Sequence, residues 1–229
     1  NGQWFKWENR NTNFLYGQPD GGPTHDAPQN GYLNRSRVSL DYIPRDNNHP
    51  YRPAIIFRMA EAYLSYAEAL NESSERMSHK QEILDNLNKI RHRAGIAEYG
   101  TGTDENGFTR IKINFSDQKE VRRLIHKERR VEFVGEGVRY HDLRRWKTAH
   151  YGIGNLNEQG ENPDWGVNGP DYGMNYYGTE YTDQGDNAFF KRTKYMDRVY
   201  PRKFYWYPIH QSEIDKDPTL VQGPFWLGE

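Results

Sequence analysis

Residues Glu128 to Trp146 read ERRVEFVGEGVRYHDLRRW and decide more about the fold than any other stretch of the chain. Charges of both signs surround a few apolar positions, at a density that an ordinary surface helix does not require. Gly135 and Gly137 predict a break in this stretch, because glycine is a poor helix former. We therefore expect one helix that ends near Val134 and a short second helix from Arg139 to Lys147.

The first of these helices is predicted to begin at Asp117. Asp117 and Glu120 have the spacing of a capping box, in which each residue satisfies a free backbone N–H group. The apolar face of the helix is predicted to consist of Val121, Leu124, Ile125 and Val131. Glu128 falls in the middle of that face. Since burying an unpaired carboxylate would cost several kcal/mol, Glu128 needs a partner, and we expect Arg139.

An earlier segment, residues Ile55 to Glu72, reads IIFRMAEAYLSYAEALNE and predicts a helix from Ala54 to Asn71. Apolar residues recur in it at steps of three or four, which keeps one side of a helix inward. The residues predicted to face inward are Ile55, Met59, Ala62, Tyr66 and Ala69.

A further helix is predicted from Ser78 to Ala94. Ser78 and Gln81 form another capping-box pair, and Gly95 suits the position after the last turn. The inward residues are predicted to be Ile83, Leu87, Ile90 and Ala94. The two helices, over residues 54–95, would form an αα-hairpin similar to one tetratricopeptide repeat. Such a hairpin cannot bury both of its faces alone, so we expect it to stack on other elements.

The composition limits the possible classes of function. The 229 residues suffice for one large domain or two small ones. There are 31 Lys and Arg against 32 Asp and Glu, and the net charge of −1 gives no broad attraction to nucleic acid or to an anionic membrane. The chain has no cysteine, which excludes disulfides, thiolate zinc sites and a cysteine nucleophile. No apolar run approaches the roughly 20 residues of a membrane-spanning helix.

The remaining segments, residues 1–53 and 148–229, predict long loops rich in Gly, Asn and aromatic residues. Short strands are predicted over 32–43, in two pieces, and from Phe204 to Ile209. Gln211 to Ile214 predicts a single helical turn.

Aromatic side chains in these loops are candidates for sugar binding. The axial C–H faces of a sugar ring stack on Trp and Tyr, while Asn, Asp and Arg bind its hydroxyl groups. The candidate glycan-binding residues are Trp4, Trp7, Tyr16, Tyr172, Tyr176 and Tyr177. The alternative is that these rings only attach the loops to the scaffold, as buried tyrosines do.

Three separated motifs resemble the SusD/RagB family of nutrient-binding surface lipoproteins. The first is the helix RMAEAYLSYAEALNE, and the second is the block E-R-R-x-E-x-x-x-E-G-x-R-x-x-D-L-x-R-W, complete between Glu128 and Trp146. The third is the aromatic-Pro-Ile turn that begins at Tyr207. His210 stands where the family usually has a second Pro, and Asp217 precedes Pro218 where Asn-Pro is usual.

The resemblance implies a mainly α fold, a SusD-like α-helical superhelix with a tetratricopeptide-like hairpin, long irregular loops and short strands. It implies that residues 1–229 form a single SusD-like C-terminal region. Its parts are a loop-rich segment, a hairpin, a pair of helices, and a second loop-rich segment with the C-terminal turn: residues 1–53, 54–95, 116–147 and 148–229.

The resemblance also implies a function. It predicts non-enzymatic binding of a glycan or other nutrient by an outer-membrane, surface-exposed lipoprotein. The ligand would pass to a SusC-like TonB-dependent transporter. The lipidated Cys that would anchor such a protein is not in this chain, which has no cysteine. No cofactor and no metal are expected.

The charged block itself has alternative interpretations. Its arginines resemble a nucleic-acid patch, but the interleaved acids would cancel the field that phosphate binding needs. Glu128, Glu136 and Asp142 are candidates for a glycosidase carboxylate pair, but arginines close in sequence favour ion pairs that hold a carboxylate ionised. We therefore expect a structural ion-pair network of Glu128, Arg130, Glu136, Arg139 and Asp142.

The sequence leaves other functions open. His126, His141 and His150 lack the close spacing of metal ligands, so no metal site is assigned. The main alternative to glycan binding is a helical-repeat module that binds a protein partner without intrinsic sugar binding. A weaker alternative is a glycoside hydrolase.

Overall fold

The computed structural model describes residues 6–7, 10–11, 13–23, 27–32, 51, 54–152 and 166–227. The chain divides into two compact units, one of residues 36–142 and the other of residues 1–35 with 143–229. The described part is mainly helical, with short two-stranded sheets. The strands predicted over 32–43 lie, apart from Tyr32, outside the described residues.

Three helices and part of a fourth form the unit of residues 36–142. They are α1 (Met59–Glu72), α2 (Lys80–Ala94), α3 (Gln118–Glu132) and α4 (Val138–Arg145), and the boundary between the units falls within α4. Helix α1 packs against α2 and α3. The predicted αα-hairpin is therefore present, and the mainly α fold is confirmed.

The buried face of α1 differs from the predicted one. Ala60, Leu64 and Ala67 are buried, whereas Met59 and Tyr66 are about half exposed. The inward stripe is thus displaced by one residue, about 100° around the helix. The periodicity misled because the buried face also carries the polar residues Glu68 and Asn71. The predicted Ile55, Ala62 and Ala69 are likewise not buried.

The start of α1 was also predicted wrongly. The helix begins at Met59, and Arg58 before it is extended, with φ −138° and ψ 154°. Arg58 sends its guanidinium group to the carboxylates of Glu132 and Glu136. An extended residue at this point places that side chain beside α3, and the helix cannot start earlier.

Helix α2 has the predicted core side chains but not the predicted start. Ile83, Leu87 and Ile90 are buried, whereas Ala94 is exposed. Ser78 makes no capping box, because its hydroxyl donates to the carbonyl of Glu75. Gly95 has φ 66° and ends the helix as predicted.

Helix α3 begins where the sequence predicts. The Asp117 side chain accepts hydrogen bonds from the backbone N–H groups of Lys119 and Glu120, which caps the helix. Val121, Leu124 and Ile125 enter the core, whereas Val131 is 63% exposed. Gly135 and Gly137 then adopt φ 77° and 78°, left-handed backbone that breaks the helix as expected.

Short elements make up the other unit. Two-residue strands β1 (Lys6–Trp7) and β2 (Arg10–Asn11) pair antiparallel, and so do β3 (Gly169–Gly173) and β4 (Thr193–Arg198). The strand predicted at Phe204 to Ile209 is wrong, because a 3₁₀ turn occupies Arg202–Tyr205. Helix α5 (Gln211–Lys216) confirms the predicted helical turn.

The two units have separate apolar cores. Side chains of α1, α2 and α3 form the core of residues 36–142, with Tyr99 and Phe133 added from the following loops. In the other unit Leu143, Ala149 and Tyr200 are buried together, and Val167 and Tyr205 pack against them. The loops of the second unit therefore rest on a small core of their own.

Candidate functional site

Glu128 is one of the two deeply buried carboxylates of the charged block, the other being Asp142. Its Oε1 accepts hydrogen bonds from Arg91 Nη1 at 2.6 Å and from the Tyr99 hydroxyl at 2.8 Å. The predicted partner Arg139 is wrong, because Glu128 faces α2 while Arg139 follows the glycine break. Burial and the negative charge of Glu128 raise the pKa of Tyr99, so that its hydroxyl stays a donor.

Asp142 is paired with Arg129, the residue that follows Glu128 in the sequence. Arg129 Nε and Nη2 reach the two oxygens of Asp142, each at 2.9 Å, and both residues are buried. Arg129 Nη1 also donates to the Ser65 hydroxyl on α1. Two parallel charge-assisted bonds of this kind fix orientation as well as distance. This pair ties α3 to the first turns of α4.

Glu136 is paired with Arg58, the residue that precedes α1. Arg58 Nε and Nη2 donate to its two oxygens at 3.0 and 2.7 Å. The same guanidinium group donates to the backbone carbonyl of Glu132 at 2.8 Å. Arg93 on α2 completes this group by binding the Glu132 carboxylate. Charged side chains thus join α2 and α3 to the residue before α1 and to the break before α4.

The remaining two residues of the predicted network lie further out. Arg130 is exposed on α3, and Arg139 is half-buried in the first turn of α4. The three carboxylates of the predicted network, Glu128, Glu136 and Asp142, each engage a guanidinium group directly. The arrangement suits structural bridges between helices.

The histidines do not assemble a metal centre in the part of the chain that the structure describes. His126 is buried with its Nε2 3.9 Å from Glu68, and His150 Nδ1 lies 2.8 Å from the Tyr205 hydroxyl. Among the described residues no three His, Asp or Glu side chains are grouped so that they could hold a metal ion.

Three of the predicted aromatic residues, Tyr16, Tyr176 and Tyr177, lie in one cluster, although about 160 residues separate the first from the other two in sequence. The ring of Tyr16 lies 6.3 Å from that of Tyr176 and 5.3 Å from that of Tyr177, and the last two rings are 5.3 Å apart. Tyr177 is 68% exposed, while Tyr16 and Tyr176 are half-buried. We call these residues the tyrosine cluster.

The backbone holds the tyrosine cluster in place. Tyr16 N–H donates to the carbonyl of Gly178 at 2.8 Å, which joins the two loops directly. Buried Asn175 donates through its amide to the carbonyls of Asp186 and Ala188. At Gly22 any side chain would strike Tyr176, since a Cβ there would lie 2.5 Å from the ring. The half-buried rings are therefore closely packed.

Tyr172 is the other predicted aromatic residue whose side chain the structure describes. It is on β3, and its ring lies under the guanidinium group of Arg192 at 3.7 Å. The side chain of Trp7, in β1, and the residue Trp4 lie outside the described part of the structure. The structure thus brings together three of the four candidates whose side chains it describes.

A cavity of about 260 Å³ lies at the end of α4 and was not predicted from the sequence. Its lining residues come from the end of α4, the 3₁₀ turn and the C-terminal segment: Arg145, Trp146, Lys147, His150, Tyr151, Arg202, Tyr205, Trp206 and Phe225. We call it the α4 pocket. The sequence signal that could have revealed it is the recurrence of cations beside aromatics in two distant segments, Arg145 to Lys147 and Arg202 to Trp206.

Comparison with known proteins identifies the family. The model of the SusD family matches residues 3–226, nearly the whole chain. The chain belongs to the SusD family. This confirms the resemblance that the three sequence motifs indicated, and it agrees with the mainly helical fold.

Individual SusD-like proteins match parts of the chain. SusD-like protein P25 of Formosa agariphila is 32% identical over 109 residues, which is 48% of this chain and 18% of that protein. SusD-like protein P38 of the same organism is 32% identical over 103 residues, 45% of this chain and 19% of that protein.

A solved structure matches more of the chain. The crystal structure of a SusD-like protein from Bacteroides fragilis superposes with a TM-score of 0.60 and 26% identity. The match covers 90% of this chain and 33% of that protein. The SusD-family chain described here thus spans about a third of its structural relative and matches about a fifth of its curated relatives. None of the helices among the described residues is both long and apolar enough to cross a membrane.

Proposed function

We propose that this SusD-family chain binds a glycan without cleaving it, and that the tyrosine cluster supplies the contact surface. One observation carries the proposal: loops around residues 16 and 176 converge and leave the Tyr177 ring 68% exposed. An exposed aromatic ring backed by two packed rings offers a rigid face to the C–H groups of a sugar. Membership of a family of nutrient-binding proteins supports the same role.

Polar groups in the loop that carries Tyr16 suit the hydroxyl groups of a sugar. Asp20 accepts from the backbone N–H of Asn13 at 2.8 Å, and the Asn13 side chain accepts from the Tyr181 hydroxyl at 3.0 Å. Both residues lie within four positions of Tyr16 in the sequence. Hydroxyl groups of a neutral sugar can exchange hydrogen bonds with such amide and carboxylate oxygens.

Absence of bond cleavage is part of the proposal. A glycosidase needs two carboxylates facing a substrate, one of them protonated. Glu128, Glu136 and Asp142 instead sit against Arg91, Arg58 and Arg129. The acid catalyst that hydrolysis requires would have to lose its guanidinium partner first. We therefore assign these residues to the scaffold and not to chemistry.

The broader biological role rests on the family. We propose that residues 1–229 form a single SusD-like region of a surface lipoprotein at the outer membrane, and that it delivers its ligand to a SusC-like TonB-dependent transporter. Co-purification tests this directly: the protein, expressed with a SusC-like transporter of the same organism, should be retained on the transporter's affinity tag. Free passage of the chain through the column would contradict the partnership.

A second candidate function is a protein-interaction module. Ile56, Phe57 and Met59 at the start of α1 are 97%, 60% and 58% exposed, an unusual concentration of apolar side chains. Such a surface suits another protein better than a sugar, because its side chains are apolar and form no hydrogen bonds. It is compatible with glycan binding elsewhere on the same chain.

A glycan array followed by isothermal titration separates these candidates. We expect the chain to bind at least one oligosaccharide family, and Tyr177→Ala to weaken that binding about tenfold or more, since stacking on an aromatic ring contributes roughly 1–3 kcal/mol in comparable stacked contacts. Tyr207→Ala is the matched control, because Tyr207 is similarly exposed but lies outside the tyrosine cluster. A chain that binds no glycan on the array would favour the interaction module.

A further inference from the structure

The α4 pocket differs in charge from the tyrosine cluster. Three of its lining side chains are permanently cationic near neutral pH: Arg145, Lys147 and Arg202. Among the described residues that line it, none is Asp or Glu. All three cations are exposed to solvent. A concave surface lined by one sign of charge concentrates ligands of the opposite sign.

Aromatic rings form the walls of the same pocket. The rings of Tyr205 and Trp206 lie 5.9 Å apart, and Trp206 lies 5.9 Å from Phe225. The Arg145 guanidinium group lies 4.9 Å from the centre of the Trp146 ring. A ligand in this pocket would therefore meet flat apolar faces and cations together. That combination recognises a ring that bears an anionic group.

The backbone and the hydrogen bonds make the pocket a defined shape. In the described part of the chain, two residues other than glycine have a left-handed φ. They are Lys147, just after α4, and Phe225, in the C-terminal segment, with φ 55° and 65°. Such backbone is unusual for side chains of this size and is often found at functional sites. The Tyr205 hydroxyl is fixed by the backbone N–H and Nδ1 of His150, at 3.2 and 2.8 Å.

The negative end of α4 does not cancel these cations. The last carbonyls of a helix carry partial negative charge. Here Lys147 N–H binds the carbonyl of Arg144, and Thr148 N–H binds that of Leu143. Two of the terminal carbonyls are thus satisfied within the chain, and the partial charge of the helix end is small beside three full positive charges.

We propose that the α4 pocket is a second binding site, for a sugar ring that carries a carboxylate or a sulfate ester. The volume of about 260 Å³ lies just below the ~300–1,000 Å³ of pockets that hold drug-sized ligands, so it suits one ring and not an extended chain. The aromatic walls receive the ring, and the cations receive its anionic group. The site is separate from the tyrosine cluster, and its existence does not depend on the function proposed for that cluster.

Titration of the chain with D-galacturonic acid, galactose 6-sulfate and galactose tests this inference. Both anionic sugars should bind at least about tenfold more tightly than galactose, because charge-assisted hydrogen bonds are roughly twice as strong as neutral ones. Raising the salt concentration should reduce this preference, since the cations are solvent-exposed. Equal affinity for all three sugars would overturn the proposal.

Charge removal identifies the site. Lys147→Gln combined with Arg202→Gln should abolish the preference for the anionic sugars, whereas Lys203→Gln, a neighbouring cation outside the pocket lining, should keep it. If circular dichroism shows that the double variant is misfolded, Lys147→Gln alone is titrated and should lose at least half of the preference, expressed as log Kd. Retention of the full preference by a folded variant would contradict the assignment.

A variant of the tyrosine cluster separates the two sites. Tyr16→Ala with Tyr177→Ala should leave the preference for galacturonic acid over galactose unchanged. If the preference disappears in this variant, the anionic sugar binds at the tyrosine cluster and the α4 pocket is not a site. If it persists while neutral oligosaccharide binding is lost, both assignments hold.

Discussion

At the scale of single residues, the buried carboxylates of the charged block act on stability. Glu128 is only 5% exposed and is matched to Arg91 and Tyr99 by geometry and charge. Removing one partner of such a pair leaves the other charge buried without compensation, which costs more than the pair itself contributes. The same logic applies to Arg129 with Asp142.

Glu128→Gln tests this directly. We expect the free energy of unfolding to fall by about 3 kcal/mol, because Arg91 would face a neutral amide in a buried position. Urea denaturation followed by tryptophan fluorescence measures the change. The control is Glu105→Gln, an exposed glutamate in a loop, which should change stability by less than about 0.5 kcal/mol. Equal effects of the two substitutions would contradict a structural role for Glu128.

Tyr205 gives a pH-dependent prediction. Burial raises its pKa to about 12, above its ordinary value of 10. Between these two pH values the unfolded chain releases the proton while the folded chain keeps it, so this residue makes stability fall as pH rises from about 10 to 12. The stability that it contributes is fully present below pH 10.

The measurement is a comparison of two chains. Tyr205→Phe cannot lose a proton at this position, so its unfolding midpoint in urea should fall less steeply than that of the original chain over the same pH range. Other tyrosines and lysines titrate equally in both chains and cancel in the difference. Parallel pH profiles would show that Tyr205 titrates normally.

At the scale of elements, the capped helix α3 organises the unit of residues 36–142. Its buried side carries Val121 and Ile125 for the core and Glu128 and Arg129 for the ion pairs. The helix starts at Asp117, whose side chain accepts from two backbone N–H groups at 2.9 and 3.2 Å. The residue at which the helix begins determines the direction around the helix axis in which every later side chain points.

Asp117→Ala should therefore destabilise the chain by about 1 kcal/mol, since two N–H groups lose their acceptor. Asp117→Asn keeps an acceptor oxygen and should lose less than half of that amount. Urea denaturation of the original chain and of the two variants measures these differences in stability. An Ala variant as stable as the Asn variant would mean that the cap contributes nothing.

Elements also show what the sequence could and could not predict. Most of the α2 and α3 core residues followed from apolar spacing, although the predicted Ala94 and Val131 are exposed. In α1 both sides carry apolar residues, and the buried side includes Asn71, whose amide donates to the carbonyl of Gln118 at the start of α3. Only the neighbouring helices decide which side is inward, and spacing within one helix contains no such information.

At the scale of the whole molecule, the family and the mainly α fold could be predicted because three motifs occur in the right order. The partner of Glu128 could not, since Arg91 lies 37 residues earlier and meets it only through the packing of α2 against α3. The tyrosine cluster was predicted only as separate residues. Its assembly depends on backbone pairing between loops, such as Tyr16 with Gly178, which follows no sequence period.

We propose that the chain combines a charged helical scaffold with loops that bind the ligand, and that the two parts have different functions. If this is correct, substitutions in the charged scaffold should change stability with little effect on ligand affinity. Substitutions in the loops should change ligand affinity with little effect on stability.

Isothermal titration of the best array glycan into the original chain, Tyr177→Ala and Glu128→Gln tests this claim most directly. The account predicts that Tyr177→Ala weakens binding about tenfold or more, while Glu128→Gln, held below its unfolding temperature, binds within about twofold of the original chain. Loss of glycan binding in folded Glu128→Gln with full binding in Tyr177→Ala would contradict the account, because it would place the ligand at the carboxylates.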